Sequence, residues 1–113
     1  MIKKVIKIQL DKDSRIIVVF QREKTEIINF VVVLETKLKN LKDDNYEWAQ
    51  VLRFDNAHGY PHMDKLDKYG NKIEVIKFDY LTNKEALSIA IDLIKNNYIE
   101  FIKAFLNRNG EYK

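Results

Sequence analysis

The residues best equipped for chemistry fall in one stretch, Arg53-Phe54-Asp55-Asn56-Ala57-His58-Gly59-Tyr60-Pro61-His62-Met63-Asp64, which holds both histidines and the single proline of the chain. Histidine changes protonation near neutral pH, so a pair of them beside arginine and aspartate can support proton transfer. His58-x-x-x-His62 has helical spacing, but Gly59 and Pro61 intervene, so the two rings must converge through a turn of the loop. Three uses of this set compete. In metal-free RNA cleavage, one histidine takes the 2′-hydroxyl proton and the other, or Tyr60, protonates the leaving oxygen. Arg53 then holds the charge developing on the phosphorane, and Asp55 or Asp64 orients a ring. Alternatively His58, His62 and Asp64 form an open triad for a divalent metal. In the third, Arg53 and Asp55 make an ordinary ion pair, and the histidines bond to backbone in a tight loop.

The elements that position this stretch follow from hydrophobic patterning. Residues 2–10 alternate, with Ile2, Ile6, Ile8 and Leu10 on one parity, and turn formers at Asp11-Lys12-Asp13-Ser14 lead into the β-branched run Arg15 to Arg22. A hairpin is expected. After Lys24-Thr25, the apolar run Ile27 to Leu34 reads as a central strand, and Lys37 to Asn45 as a polar loop with Leu38 and Leu41 pinning one helical turn. Tyr46 to Asp55 alternates so that Trp48, Gln50, Leu52 and Phe54 share one side, which places Trp48 in the core, and Arg53 and Asp55 share the other. The loop Asn56 to Pro61 follows, then the Gly70-Asn71 turn and a strand over Lys72 to Phe78. Thr82-Asn83-Lys84-Glu85 is a capping box, and Leu87, Ile91, Ile94, Tyr98, Phe101 and Phe105 form the stripe of a helix that ends near Asn109-Gly110. The expected architecture is α+β: a single domain over 1–113, with an antiparallel meander of about five strands and one long C-terminal helix packed on one face. At 1.5 Å per residue that helix outreaches a typical strand of ~20 Å. Its overhang and second apolar line suggest a homodimer contact through the helix.

Composition narrows the function classes. With 113 residues, 46% hydrophobic and 33% charged, the chain suits one soluble core. The absence of cysteine excludes disulfides, zinc ribbons and thiol catalysis. Apolar runs are too short to span a bilayer, so no membrane association is expected. Lysines interrupt Met1 to Leu10, so a cytoplasmic location is the expectation. The net charge of +3 permits nucleic-acid contact, but acidic and basic residues are mixed along the chain. No cofactor-binding motif occurs, and no resident cofactor is expected.

Arg53-Phe54-Asp55, His58-Gly59, His62-Met63-Asp64, Gly70-Asn71 and Glu85-Ala86-Leu87 resemble the recurring text of a family of small uncharacterised bacterial and archaeal proteins. The central stretch is also distantly similar to TumE-type toxins of toxin–antitoxin systems, which carry Arg-Tyr-Asp-Asn before a histidine-rich loop. Phenylalanine stands here for the tyrosine, and the histidines are fewer. That resemblance implies a toxin-like component acting on RNA through Arg53, Asp55, His58, His62 and Asp64, with an antitoxin-like protein as partner. The alternatives are a non-catalytic dimeric interaction module and a divalent-metal-binding protein.

Overall fold

Turn chemistry and alternation build a meander. The computed structural model describes residues 1–39 and 45–108. The first hairpin pairs β1 (Ile2–Asp11) with β2 (Ser14–Glu23), and Asp11 accepts the backbone N–H of Asp13 at the turn. Lys24, at φ 55°, then reverses the chain into β3 (Glu26–Lys39). Next come β4 (Tyr46–Asp55), β5 (His62–Leu66) and β6 (Lys72–Lys77), followed by α1 (Asn83–Arg108). All neighbouring strands are antiparallel, in the order β1-β2-β3-β4-β5-β6.

The α+β meander with one C-terminal helix is therefore as expected, with six strands among the described residues in place of about five. The additional strand is β5, which falls in a stretch whose residues show no strand pattern of their own. Its residues His62-Met63-Asp64-Lys65-Leu66 carry three polar side chains, yet all but Lys65 are buried. The loop expected from Lys37 is strand as far as Lys39, which puts Leu38 in β3 in place of a helical turn; Leu41, the other residue of that turn, lies outside the described residues, as does the helix stop at Asn109-Gly110.

One sheet face is apolar and takes the helix. Ile16, Leu34 and Leu52 are successive register partners across it, as are Val18, Val32, Phe54 and Met63. These side chains are at most 3% exposed. Against them α1 buries Ala86, Ala90, Ile94 and Phe105. At about 25 cal/mol per Å² of apolar surface removed from water, this interface is the principal stabilising element. The helix starts where the capping box predicts: the Thr82 backbone N–H donates to Glu85 Oε1 at 3.0 Å, and the Glu85 N–H donates to Thr82 Oγ1 at 3.2 Å. The Asn83 side chain then ties this start to β3 by donating to the Ile27 carbonyl at 3.0 Å.

Two expectations need correction. The 26-residue helix is about 39 Å long, but β3 runs for 14 residues, roughly 46 Å at 3.3 Å each. β3 is thus longer than the helix that lies on it, so helix length alone gives no overhang along that strand. Trp48 does not share a face with Leu52 and Phe54. A bulge at Val51 lets Leu34 pair with Leu52 but Glu35 with Gln50, which reverses the parity of the earlier half of β4. Trp48 consequently lies half-buried on the helix-free face, with the Arg15 guanidinium 3.8 Å from its ring centre.

Candidate metal centre on the helix-free face

Alternation along β4 carries Arg53 and Asp55 to the face opposite the helix, and the β4–β5 pairing brings their partners to them. Arg53 stands across from Asp64, and Asp55 across from His62. Directly opposed residues of an antiparallel pair have Cβ atoms about 5 Å apart, so four chemically active side chains crowd one patch. The next rows complete it: Val33 flanks Arg53, and Val75 flanks Asp64.

The six-residue connection shapes this patch. Asn56 prolongs the β3 edge by accepting the Phe30 N–H at 3.2 Å and donating to the Ile28 carbonyl at 3.0 Å. Gly59 closes a turn onto the Asn56 carbonyl at 3.0 Å with φ 87°, a conformation costly for other residues. The Pro61 carbonyl then accepts the Phe78 N–H at 2.8 Å, which fixes the entry to β5.

His62 is 1% exposed, and its two nitrogens face different partners. Nδ1 lies 3.3 Å from the Tyr60 carbonyl oxygen, whereas Nε2 lies 3.1 Å from Asp55 Oδ1 and 3.6 Å from Asp64 Oδ2. Asp55, 4% exposed, also accepts the Ala57 N–H at 3.0 Å and has Arg53 Nε 3.1 Å from its other oxygen. That arginine contact lacks hydrogen-bond alignment. Asp64 is the least satisfied member. It is fully buried, and neither carboxylate oxygen has a hydrogen bond, although Lys72 Nζ stands at ionic distance, 3.5 Å from Oδ2.

One ligand atom each from Asp55, His62 and Asp64 lie within 4.8 Å of one another. Ligands about 2.1 Å from a tetrahedral ion stand roughly 3.4 Å apart, so a small contraction would let the three share a cation. With the ring proton on Nε2, His62 donates to Asp55 Oδ1; with it on Nδ1, the ring donates to the Tyr60 carbonyl and turns the Nε2 lone pair toward the two carboxylates, the arrangement in which a cation between them is favourable.

Of the residues singled out in the sequence, Arg53, Asp55, His62 and Asp64 meet here. His58 does not join the ligand set. Its ring is exposed and lies 5.0 Å from the His62 ring, tilted by 33°, so it covers His62 from the loop side. Asp55 takes the place expected of His58 in the triad, because the cross-strand register, not the loop, brings ligands together. Lys72 and Asn56 were missed. Lys72 carries no local signal, since it reaches Asp64 only through the β5–β6 pairing. Asn56 had a signal in its position directly after a strand.

The chain matches the family described as Domain of unknown function (DUF7718) over residues 1–111 and belongs to that family. Neither the curated proteins nor the solved structures provide a match.

Proposed function

We propose that this DUF7718 chain is a divalent-cation-binding protein whose ligands are one carboxylate oxygen each of Asp55 and Asp64 and Nε2 of His62. The observation that carries this reading is the buried Asp64 carboxylate, whose two oxygens lack hydrogen bonds beside a second buried carboxylate. A buried charge is expensive unless it is paired or ligates metal. Two oxygens and one imidazole nitrogen suit Zn²⁺ or Mn²⁺ better than a purely oxygen-seeking Mg²⁺. The Tyr60 carbonyl, facing Nδ1, serves the role of the outer partner that fixes the tautomer of a ligating histidine. Three protein ligands leave further coordination positions for water, which a bound ion would acidify. Titration calorimetry of chelator-treated protein with Zn²⁺, Mn²⁺ and Mg²⁺ tests this. One ion should bind per chain, and binding should disappear in His62→Ala and Asp64→Asn; no binding of any ion to the wild type at millimolar concentration would end the proposal.

A second reading, contact with RNA, has one observation in its favour. Strand register puts Lys3, Lys7, Arg15, Arg53 and Lys77 on the helix-free face, where Glu35 is held by Arg15 at 2.7 Å and Asp55 and Asp64 are buried. A face of one sign attracts phosphate. His62, at 1% exposure, lies beneath its loop, so cleavage by the two histidines would require the 56–61 connection to lift. RNA binding that weakens with salt and is reduced in Lys7→Ala would support this reading, and growth arrest on expression, lost in His62→Ala, would support a toxin-like role. RNA binding unaffected by Lys7→Ala and Arg53→Ala would remove it.

A further inference from the structure

The helix covers β3 and β4 but leaves the outer part of the same sheet face, on β1 and β2, open beside its own first turn. Ile2 and Ile6 there are 47% and 44% exposed. In the angle between that shelf and the helix start lies a cavity of about 310 Å³, lined by Lys4, Phe20, Arg22, Thr25, Ile27 and Lys84.

Register explains why these residues meet. Lys4 is the cross-strand partner of Phe20, and Arg22 that of Ile27. Lys84 descends from the first turn of α1, which the Asn83–Ile27 hydrogen bond fixes over this corner. The cavity is thus floored by an aromatic and an aliphatic side chain and ringed by three cations. No carboxylate lines it, and among the described residues none of the three cations is in an ion pair or a side-chain hydrogen bond. Glu85, the nearest acid in sequence to Lys84, is occupied by the Thr82 backbone N–H.

Three like charges around one hollow repel one another, and the positive end of the helix dipole adds to the same field. An anion relieves both. The volume is at the lower end of that of small-molecule sites, and guanidinium and ammonium groups together suit a phosphate. We infer that this corner is a binding site for a phosphorylated small molecule with a flat apolar body: its phosphate lies among Lys4, Arg22 and Lys84, and its body rests on Phe20 and Ile27. The site is separate from the Asp55–His62–Asp64 cluster, which lies on the opposite face of the sheet.

The test is titration of the full chain with adenosine monophosphate, ribose 5-phosphate and inorganic phosphate, followed by NMR shifts and calorimetry. Adenosine monophosphate should bind at least tenfold tighter than inorganic phosphate. Lys84→Ala, on an exposed helix position that leaves the fold intact, and Arg22→Ala should each weaken it about tenfold, while Lys68→Ala, at the far β5–β6 turn, leaves it unchanged. Equal losses in Lys84→Ala and Lys68→Ala would mean diffuse charge attraction and overturn the site. So would equal affinity for the nucleotide and inorganic phosphate, or no binding of any probe at 5 mM.

Discussion

Replacing Asp64 by asparagine separates a cation ligand from a structural ion-pair partner, because the two roles predict losses of stability of very different size. Asparagine preserves the volume of the side chain while removing its charge. Asp64 is fully buried, and neither oxygen is hydrogen-bonded. Without a cation, the variant therefore loses little attraction and escapes the desolvation of a carboxylate, so its stability should stay within about 1 kcal/mol of the wild type. If the contacts to His62 at 3.6 Å and Lys72 at 3.5 Å were instead strong structural pairs, the loss would be about 3–5 kcal/mol, the usual cost of breaking a buried pair. Added cation reverses the comparison. At a free concentration one hundred times Kd, the wild type gains about 2.7 kcal/mol, which for a domain of this size raises Tm by about 10 °C. Asp64→Asn should show no such rise. Thermal melts of both proteins with chelator and with Zn²⁺ or Mn²⁺ read all four states. A chelator-treated variant destabilised by 3 kcal/mol or more, together with a wild type indifferent to every ion, would refute the reasoning.

Other consequences concern the scaffold. Thr82→Ala removes the hydroxyl that accepts the Glu85 N–H and should cost about 1 kcal/mol in urea denaturation, with Thr82→Ser retaining most of it. Phe105→Ala, at a position with no exposure, should cost about 3–5 kcal/mol, whereas Ile89→Ala, at 41% exposure, should cost less than about 0.5 kcal/mol. The carboxyls of Asp67, held by the Asn71 backbone N–H, of Glu74, held by Lys65, and of Glu85, held by the Thr82 backbone N–H, all lie below their ordinary values. Their folded values are lower than their unfolded ones, so their contribution is complete above the unfolded values and is lost as pH falls through the folded ones. The urea midpoint should therefore drop on acidification below about pH 4.5, and Asp67→Asn should flatten that slope; a midpoint constant from pH 6 to pH 3 would contradict it. Arg15→Ala should shift the fluorescence of Trp48, the single tryptophan, since the guanidinium lies 3.8 Å from its ring centre.

Period-two alternation made β1, β2 and the end of β4 legible, because Ile6 and Ile8, Ile16 and Val18, and Leu52 and Phe54 share the face that carries the helix, while Lys7, Arg15 and Arg53 stand on the other. The capping box was legible for a similar reason: both of its bonds join residues three apart. Two features were not. β5 is five residues long, and its polar members are buried by partners on β4, so nothing in His62-Met63-Asp64-Lys65-Leu66 taken alone distinguishes it from loop. The bulge at Val51 has no glycine to announce it, and it moved Trp48 to the other face. Within the site, the shared face of Arg53 and Asp55 followed from alternation. The ligand grouping did not, since it depends on a register that pairs Asp55 with His62 and turns His58 away.

The arrangement of Asp55, His62 and Asp64 within a single hairpin has a kinetic consequence. Every strand in this sheet pairs with its neighbour in sequence, and the three side chains span ten positions of the chain. Loop closure over so short a separation costs little entropy and takes microseconds, far less time than assembling distant segments. The cluster can therefore form before α1 docks, and a cation present during refolding would act on that early species. It would accelerate folding and leave the unfolding rate nearly unchanged, whereas an ion bound between segments remote in the chain would slow unfolding alone.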